Sequence, residues 1–296
     1  MARAEFQAPG LTRRRALLAA GAAATLPGAG LLYAGPARAA LAAPSLELAG
    51  QYVQGGFALG RTSPRAELTV DGTDAGQASA DGIFVVGFDR DAPDTSEIRV
   101  RAGGQEAVRT LAIAKGTFDI QRIDGLPPDQ VTPTDPALLQ RIADEAARKA
   151  EGFKSRADLA DFRDGFVLPV QGARLSARFG GQRILNGEPK RPQYGDDLAA
   201  PIGTPVTAPA PGLVCFSESG LHYDGALIMI DHGQGLISLY LHLSRLDVAA
   251  GQAVERGQLI GAVGMEGRAT GPHLCWRMKW RDRNLDPMLL VGAKAP

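Results

Sequence analysis

The side chains of this chain most able to do chemistry are concentrated near its C-terminal end. All four histidines, His222, His232, His242 and His273, fall within residues 166–292, as do both cysteines, Cys215 and Cys275. Tyr240-Leu241-His242-Leu243 closes an apolar run that reads as a strand, and Gly271-Pro272-His273-Leu274-Cys275-Trp276 opens another. Residues i and i+2 of a strand share a face, so His273 and Cys275 point one way and Leu274 the other. Imidazole and thiolate both bind zinc. Asp197, after Tyr194-Gly195-Asp196, could add a carboxylate. Asp197, a histidine and Cys275 brought together would make a metal site; apart, each is an isolated polar residue. A catalytic zinc needs three protein ligands, and spacing alone does not supply the third. Cys275 beside His273 also has the composition of a thiol nucleophile with its base. Side chains at i and i+2 lie parallel rather than in hydrogen-bond contact, which argues against that pairing. His222, in the loop Ser219–Tyr223, and His232, in a turn-like Asp-His-Gly, read as surface or turn residues.

The elements that must position these residues are short strands. Thr204–Ala208, Gly212–Phe216, Ala226–Ile230 and Leu236–Leu241 are apolar runs separated by glycines, which predicts an antiparallel β-sheet domain with long loops over 166–292. The glycine-rich blocks lack the strand-to-helix setting of a phosphate loop, so nucleotide binding is not expected. Further upstream, Ala66–Val70 and Glu97–Arg101 alternate apolar and polar residues, and Ile83–Phe88 follows Asp81-Gly82. Asp-Gly turns beside such runs are hairpin signals. They predict a small immunoglobulin-like β-sandwich over 46–120. It holds no histidine or cysteine and reads as a spacer or binding module. Between the two lies a proline-rich stretch with Pro127, Pro128, Pro133 and Pro136. Asp135-Pro136 has the order of an N-cap followed by a first-turn proline. Leu138, Leu139, Ile142, Ala146 and Phe153 recur at helical spacing, so a helix is expected over 135–150, with a second short one over 156–163.

Whole-chain properties agree with a mainly β protein of two domains. Thirty-seven glycines and 20 prolines fit many turns, and 296 residues suit two domains plus small extras. Lys+Arg and Asp+Glu balance at 32 each, which argues against a nucleic-acid partner. At the N-terminus, Thr12-Arg13-Arg14-Arg15-Ala16-Leu17-Leu18 leads into an Ala/Gly/Leu run without acidic residues. That run ends at the small-x-small site Ala37-Arg38-Ala39. Residues 1–39 therefore read as a secretory signal, and the Arg13-Arg14 pair as one of twin-arginine type. The expected location is the periplasm or cell envelope. There a Cys215–Cys275 disulfide is possible, but the sequence does not show whether the sulfurs meet.

Several blocks, in order, resemble the catalytic domain of lysostaphin-type (LytM-like) zinc metallopeptidases, which cut peptide cross-links of peptidoglycan. They are Gln193–Pro201, Gly203–Pro209, Gly212–Val214, Ile230–Gly235, Tyr240–Leu243, Gly251–Val254, Gly257–Gly261, Gly271–Leu274 and Asp286-Pro287. The resemblance implies the lysostaphin-type fold over 166–292, peptidoglycan peptides as partners, and zinc bound by a His-x-x-x-Asp motif and the second histidine of His-x-His. Carried over, these metal positions are Gln193, Asp197 and Cys275; two of the three are altered. The histidines that the family uses as general base and intermediate stabiliser are present as His242 and His273. A neutral amide is a weak zinc ligand, whereas a thiolate is a good one. Gln, Cys and Asp in place of two histidines and Asp add negative charge and make the ion less electrophilic, which works against activating water. Zinc is therefore expected to be weak or absent. The expected function is peptidoglycan binding or regulation of wall hydrolysis, with a partner cell-wall hydrolase as the resemblance allows for degenerate members. The alternative is an active zinc endopeptidase with an Asp/Cys ligand set.

Overall fold

The computed structural model describes residues 42–296. The expected signal over 1–39 lies outside them.

The first seven strands are β1 Glu47–Gln51, β2 Phe57–Arg61, β3 Glu67–Val70, β4 Thr73–Gln77, β5 Ile83–Gly87, β6 Thr95–Ala102 and β7 Gln105–Ala112. They form two antiparallel sheets, β1-β2-β5 and β4-β3-β6-β7. Asp71 and Gly72 join β3 to β4, with φ of 51° and 76°. Two successive left-handed residues make the turn whose twist matches a hairpin. Strands β3 and β6 alternate between buried and more exposed positions, so Leu68, Val70, Ile98 and Val100 enter the core.

A connecting region follows. It comprises β8 Ile120–Ile123, α1 Pro128–Val131 and α2 Pro136–Phe153. Asp135 caps α2 by accepting from Ala137 N at 3.1 Å, and Pro136 takes the first turn, where a missing N–H costs nothing. The second helix expected over 156–163 is absent. Its backbone is held elsewhere: Ala157 N donates to Asp231 Oδ2 at 2.8 Å and Asp161 N to the His232 carbonyl at 3.0 Å. No helix of the described residues is long and apolar enough to cross a membrane.

The remaining strands are β9 Arg174–Ala177, β10 Gln182–Leu185, β11 Glu188–Pro189, β12 Gly195–Ala199, β13 Pro205–Thr207, β14 Gly212–Leu221 and β15 Gly225–Asp231. They continue with β16 Leu236–Leu246, β17 Ala253–Val254, β18 Leu259–Val263, β19 His273–Trp280 and β20 Arg283–Leu285, and a 3₁₀ turn spans Pro287–Leu290. Ten of them make one sheet with the path β17-β14-β15-β16-β19-β12-β9; β18 joins β16 to β13, and β20 pairs with β19. One face of β15, β16 and β19 presents Ala226, Ile228, Ile230, Tyr240, Leu274, Trp276 and Met278 to a core that continues into the upstream strands. Gly87 of β5 sits at that junction. A Cβ there would come within 2.7 Å of Leu285 and 2.9 Å of Trp280, so only glycine allows the approach. The other face carries a smaller cluster of Phe216, Leu221, Leu227, Met229, Leu239, Leu241 and Cys275, with Phe153 of α2 against it.

Both cysteines are free. Cys215 lies on β14 and Cys275 on β19, with β15 and β16 between them. Three strand spacings of about 4.8 Å exceed what a disulfide spans.

Candidate functional site

The strand register assembles the site. β12 pairs with β19 so that Asp197 faces Cys275 and Ala199 faces His273; on the other side of β19, Leu241 of β16 faces Cys275. Gly195 lies opposite Arg277. A Cβ on Gly195 would sit 2.5 Å from Arg277 Cγ and 3.2 Å from Cys275 Sγ, so glycine is what lets β12 close on this row. Gln193, just before β12, is fully buried. All three metal positions expected from the sequence thus converge.

What they form is a hydrogen-bonded cluster. Gln193 Nε2 donates to Asp197 Oδ1 at 2.7 Å and to Cys275 Sγ at 3.6 Å. Both neighbours are acceptors, so the amide must present its NH₂ to them; the reverse orientation would set an amide oxygen against a carboxylate. Gln193 Oε1 is left buried without a partner. Arg277, two residues beyond Cys275 and on the same face, donates from Nε to Cys275 Sγ at 3.4 Å. Burial pushes the Cys275 thiol up to about 12, against the opposing pull of Arg277.

These residues do not fit a zinc ion. An amide NH₂ occupies the space between the other two groups, and the sulfur accepts from a guanidinium. Among the described residues no group of three His, Cys, Asp or Glu side chains is arranged to hold a metal.

His242 and His273 meet, with ring centroids 4.8 Å apart. His242 Nδ1 donates to the Glu266 carbonyl and His273 Nδ1 to the Gly271 carbonyl, both at 2.7 Å. Each bond puts a proton on Nδ1, and in the neutral His242 ring it leaves Nε2 as the free lone pair. His273 Nε2 is 3.8 Å from Asp197 Oδ1. His242 has φ of 65°, a left-handed conformation uncommon outside glycine, at a place where the β16 register is irregular. Strain of this kind collects at functional sites. Burial, then the neighbouring His273, push the His242 pKa down to about 3, so this imidazole is neutral.

Residues 191–287 match the family model described as peptidase family M23. This segment is a peptidase family M23 domain. Its relatives include the peptidoglycan DD-endopeptidase ShyA of Vibrio cholerae, 42% identical over 117 residues, covering 39% of this chain and 27% of ShyA. The DD-carboxypeptidase/endopeptidase Mpg of Neisseria meningitidis is 38% identical over 127 residues, covering 43% of this chain and 29% of Mpg. The chain thus spans under a third of the length of these curated relatives. A crystal structure of a peptidase M23 from Pseudomonas aeruginosa superposes with a TM-score of 0.63 and 29% identity, over 82% of this chain and 96% of that one. That likeness extends well beyond the M23 domain into the upstream β-strands.

The other two histidines of the domain are structural. His232 is fully buried, with Nδ1 donating to the Pro211 carbonyl at 2.6 Å and Nε2 bonded to Ser238 Oγ at 2.7 Å. His222 Nε2 lies 3.2 Å from the Asp129 carbonyl, and its backbone N–H donates to Glu145 at 2.9 Å. Both lie beside turns, as the sequence suggests, but neither is exposed: α1 and α2 fold over the loop that carries His222, and β16 covers His232. Sequence reading also passed over Arg277 and Arg183. Period-two spacing from Cys275 could have found Arg277. Nothing local to Arg183 announces its place beside the site.

Proposed function

We propose that this chain is an exported cell-envelope protein whose M23 domain holds peptidoglycan peptides without cutting them, as a binding module or a regulator of wall hydrolysis. The observation that carries this reading is the Gln193 amide, which ties together the two groups that would otherwise ligate a metal. With that amide and Arg277 in place, the site has hydrogen-bond donors where a water-activating ion belongs. His242 keeps its Nε2 lone pair free, so it can accept a hydrogen bond from an N–H group of a bound peptide. The substrate class follows the relatives, named as enzymes of peptidoglycan and of DD-peptide bonds. The reading as an active zinc endopeptidase would require Gln193 to reverse its amide and Cys275 to lose both its proton and its Arg277 bond.

The test is release of soluble muropeptides from purified peptidoglycan by the protein, with added zinc and with a chelator. The expected result is no release in either, with the protein co-sedimenting with the insoluble wall. Release that a chelator abolishes would overturn the proposal. Gln193→His combined with Cys275→His should raise zinc affinity at least tenfold, read by equilibrium dialysis.

A further inference from the structure

Beside His273 and Asp197 the site opens into a cavity of about 550 Å³. Its charged lining is Arg122, Arg174, Arg183 and Asp197, with the imidazole ring of His273 beside them. Three guanidinium groups thus face one carboxylate, and that carboxylate already accepts from Gln193. The cavity is strongly cationic within a chain of zero net charge.

Arg183 decides what the cavity is for. Its Nε is buried and has no hydrogen-bond partner. Among the described residues its side chain makes no ion pair, and the same holds for Arg122 and Arg174. Burial and then the like charge of Arg277 push the Arg183 pKa down. A buried donor without an acceptor loses its hydration for nothing, and a ligand in the adjoining cavity would supply the missing acceptor. A guanidinium presents its donors in a planar fork that matches a carboxylate. A phosphate dianion would meet stronger repulsion from Asp197 than a carboxylate monoanion does.

The wall that carries these arginines is an addition to the M23 segment. Arg122, Arg174 and Arg183 all precede residue 191, where the family match begins. β8, from the connecting region, pairs in parallel with β10 and sets Arg122 opposite Ile184, next to Arg183. The upstream chain thereby brings a cation to the edge of the site.

We propose that this cavity is a carboxylate-binding site that anchors a peptide by its carboxylate next to His273. The inference rests on the peptide-binding reading above and names the group recognised. Stem peptides offer two sources of that chemistry, a C-terminal α-carboxylate and a side-chain carboxylate.

Calorimetric titration of the protein tests it with three probes. These are N-acetyl-D-alanyl-D-alanine, its C-terminal amide, and a C-terminally amidated tripeptide that keeps a side-chain carboxylate. At least one carboxylate probe should bind tenfold or more tighter than the fully amidated one, and which does so identifies the source. Arg183→Met should remove that difference without lowering the thermal midpoint, because it deletes a half-buried guanidinium whose Nε has no partner. If that variant does not fold, the exposed pair Arg122→Ala with Arg174→Ala should cut the carboxylate preference at least threefold and reduce its salt dependence. Equal binding of acid and amide probes, no binding of any probe, or an unchanged preference in the variants would overturn the inference. Co-sedimentation with the wall reads the first proposal separately. Wild type and Arg183→Met that sediment equally, with no acid preference, would leave peptide binding standing and remove only the carboxylate anchor.

Discussion

At the residue level the decisive group is one amide. Where a histidine would offer an imidazole lone pair to a metal, Gln193 turns its NH₂ toward Asp197 and Cys275. With acceptors at Asp197 and Cys275 it must donate, and donation excludes a cation between them. Gln193→Leu keeps the volume and removes the donor, leaving Asp197 Oδ1 without its bond. The expected cost is about 1–2 kcal/mol of stability in urea unfolding, because Asp197 is only half-buried and water recovers part of the loss. Wild-type stability should not respond to zinc. A zinc-dependent rise in the wild-type midpoint would mean that the amide yields to the metal. The positions of Asp197, Gln193, Cys275, His242 and His273 were all legible in the sequence, since strand periodicity and the order of motif blocks place them. Their bonding was not: whether Cys275 meets a metal, a disulfide or a guanidinium depends on Arg277 and on which strands separate it from Cys215.

At the level of elements, α2 holds the loop that flanks the site. Glu145 is buried; it accepts from Arg141 Nε at 2.8 Å within the helix and from the His222 backbone N–H at 2.9 Å beyond it. Lys149 pairs with Asp224, and Arg141 donates to the Gly220 carbonyl at 2.6 Å. The bond from a backbone N–H to an ionised carboxylate inside a low-dielectric contact is the strong one. Glu145→Ala leaves that N–H unsatisfied and should cost about 1–3 kcal/mol. Amide exchange at His222 and Tyr223 should quicken while exchange in the centre of β15 and β16 stays slow. Unchanged protection at His222 would show that α2 merely lies against the loop. The helix itself was readable from Asp135-Pro136 and the apolar spacing. The missing helix over 156–163 was not, because Asp231 and His232, some 70 residues later, hold this segment through Ala157 N–H and through the Asp161 N–H that the helix would have used. The pairing of β8 with β10 is equally non-local, joining segments about 60 residues apart that show no shared periodicity.

On the scale of the whole molecule, the two β-regions share one core, and buried titratable groups within it set how stability responds to pH. His232 is enclosed on every side: Nδ1–H donates to Pro211, Nε2 accepts from Ser238, and Ser238 Oγ lies 2.8 Å from Tyr240 Oη. Protonating Nε2 would set two donors against each other, and burial holds the pKa down at about 4. The unfolded chain titrates near 6.5. Between about pH 6.5 and 4 the unfolded state therefore binds a proton that the native state refuses, so this contribution is complete above 6.5 and is lost as the pH falls to 4. Its size is on the order of 3 kcal/mol. His242, lowered by burial and His273, acts in the same direction. Asp196 acts in the opposite one: burial and the charge of Asp286 hold its pKa up at about 8, so its native state keeps a proton near neutrality and gains relative stability as the pH falls toward the carboxylate range. The total curve is thus a compromise, and the informative measurement is a difference. In urea unfolding from pH 7 to pH 4, the stability advantage of wild type over His232→Gln should shrink by on the order of 3 kcal/mol, with most of the change below pH 6.5. A difference that does not vary with pH would mean that native His232 takes up its proton as readily as the unfolded chain does, with the Ser238–Tyr240 chain reversing its donors to accept it.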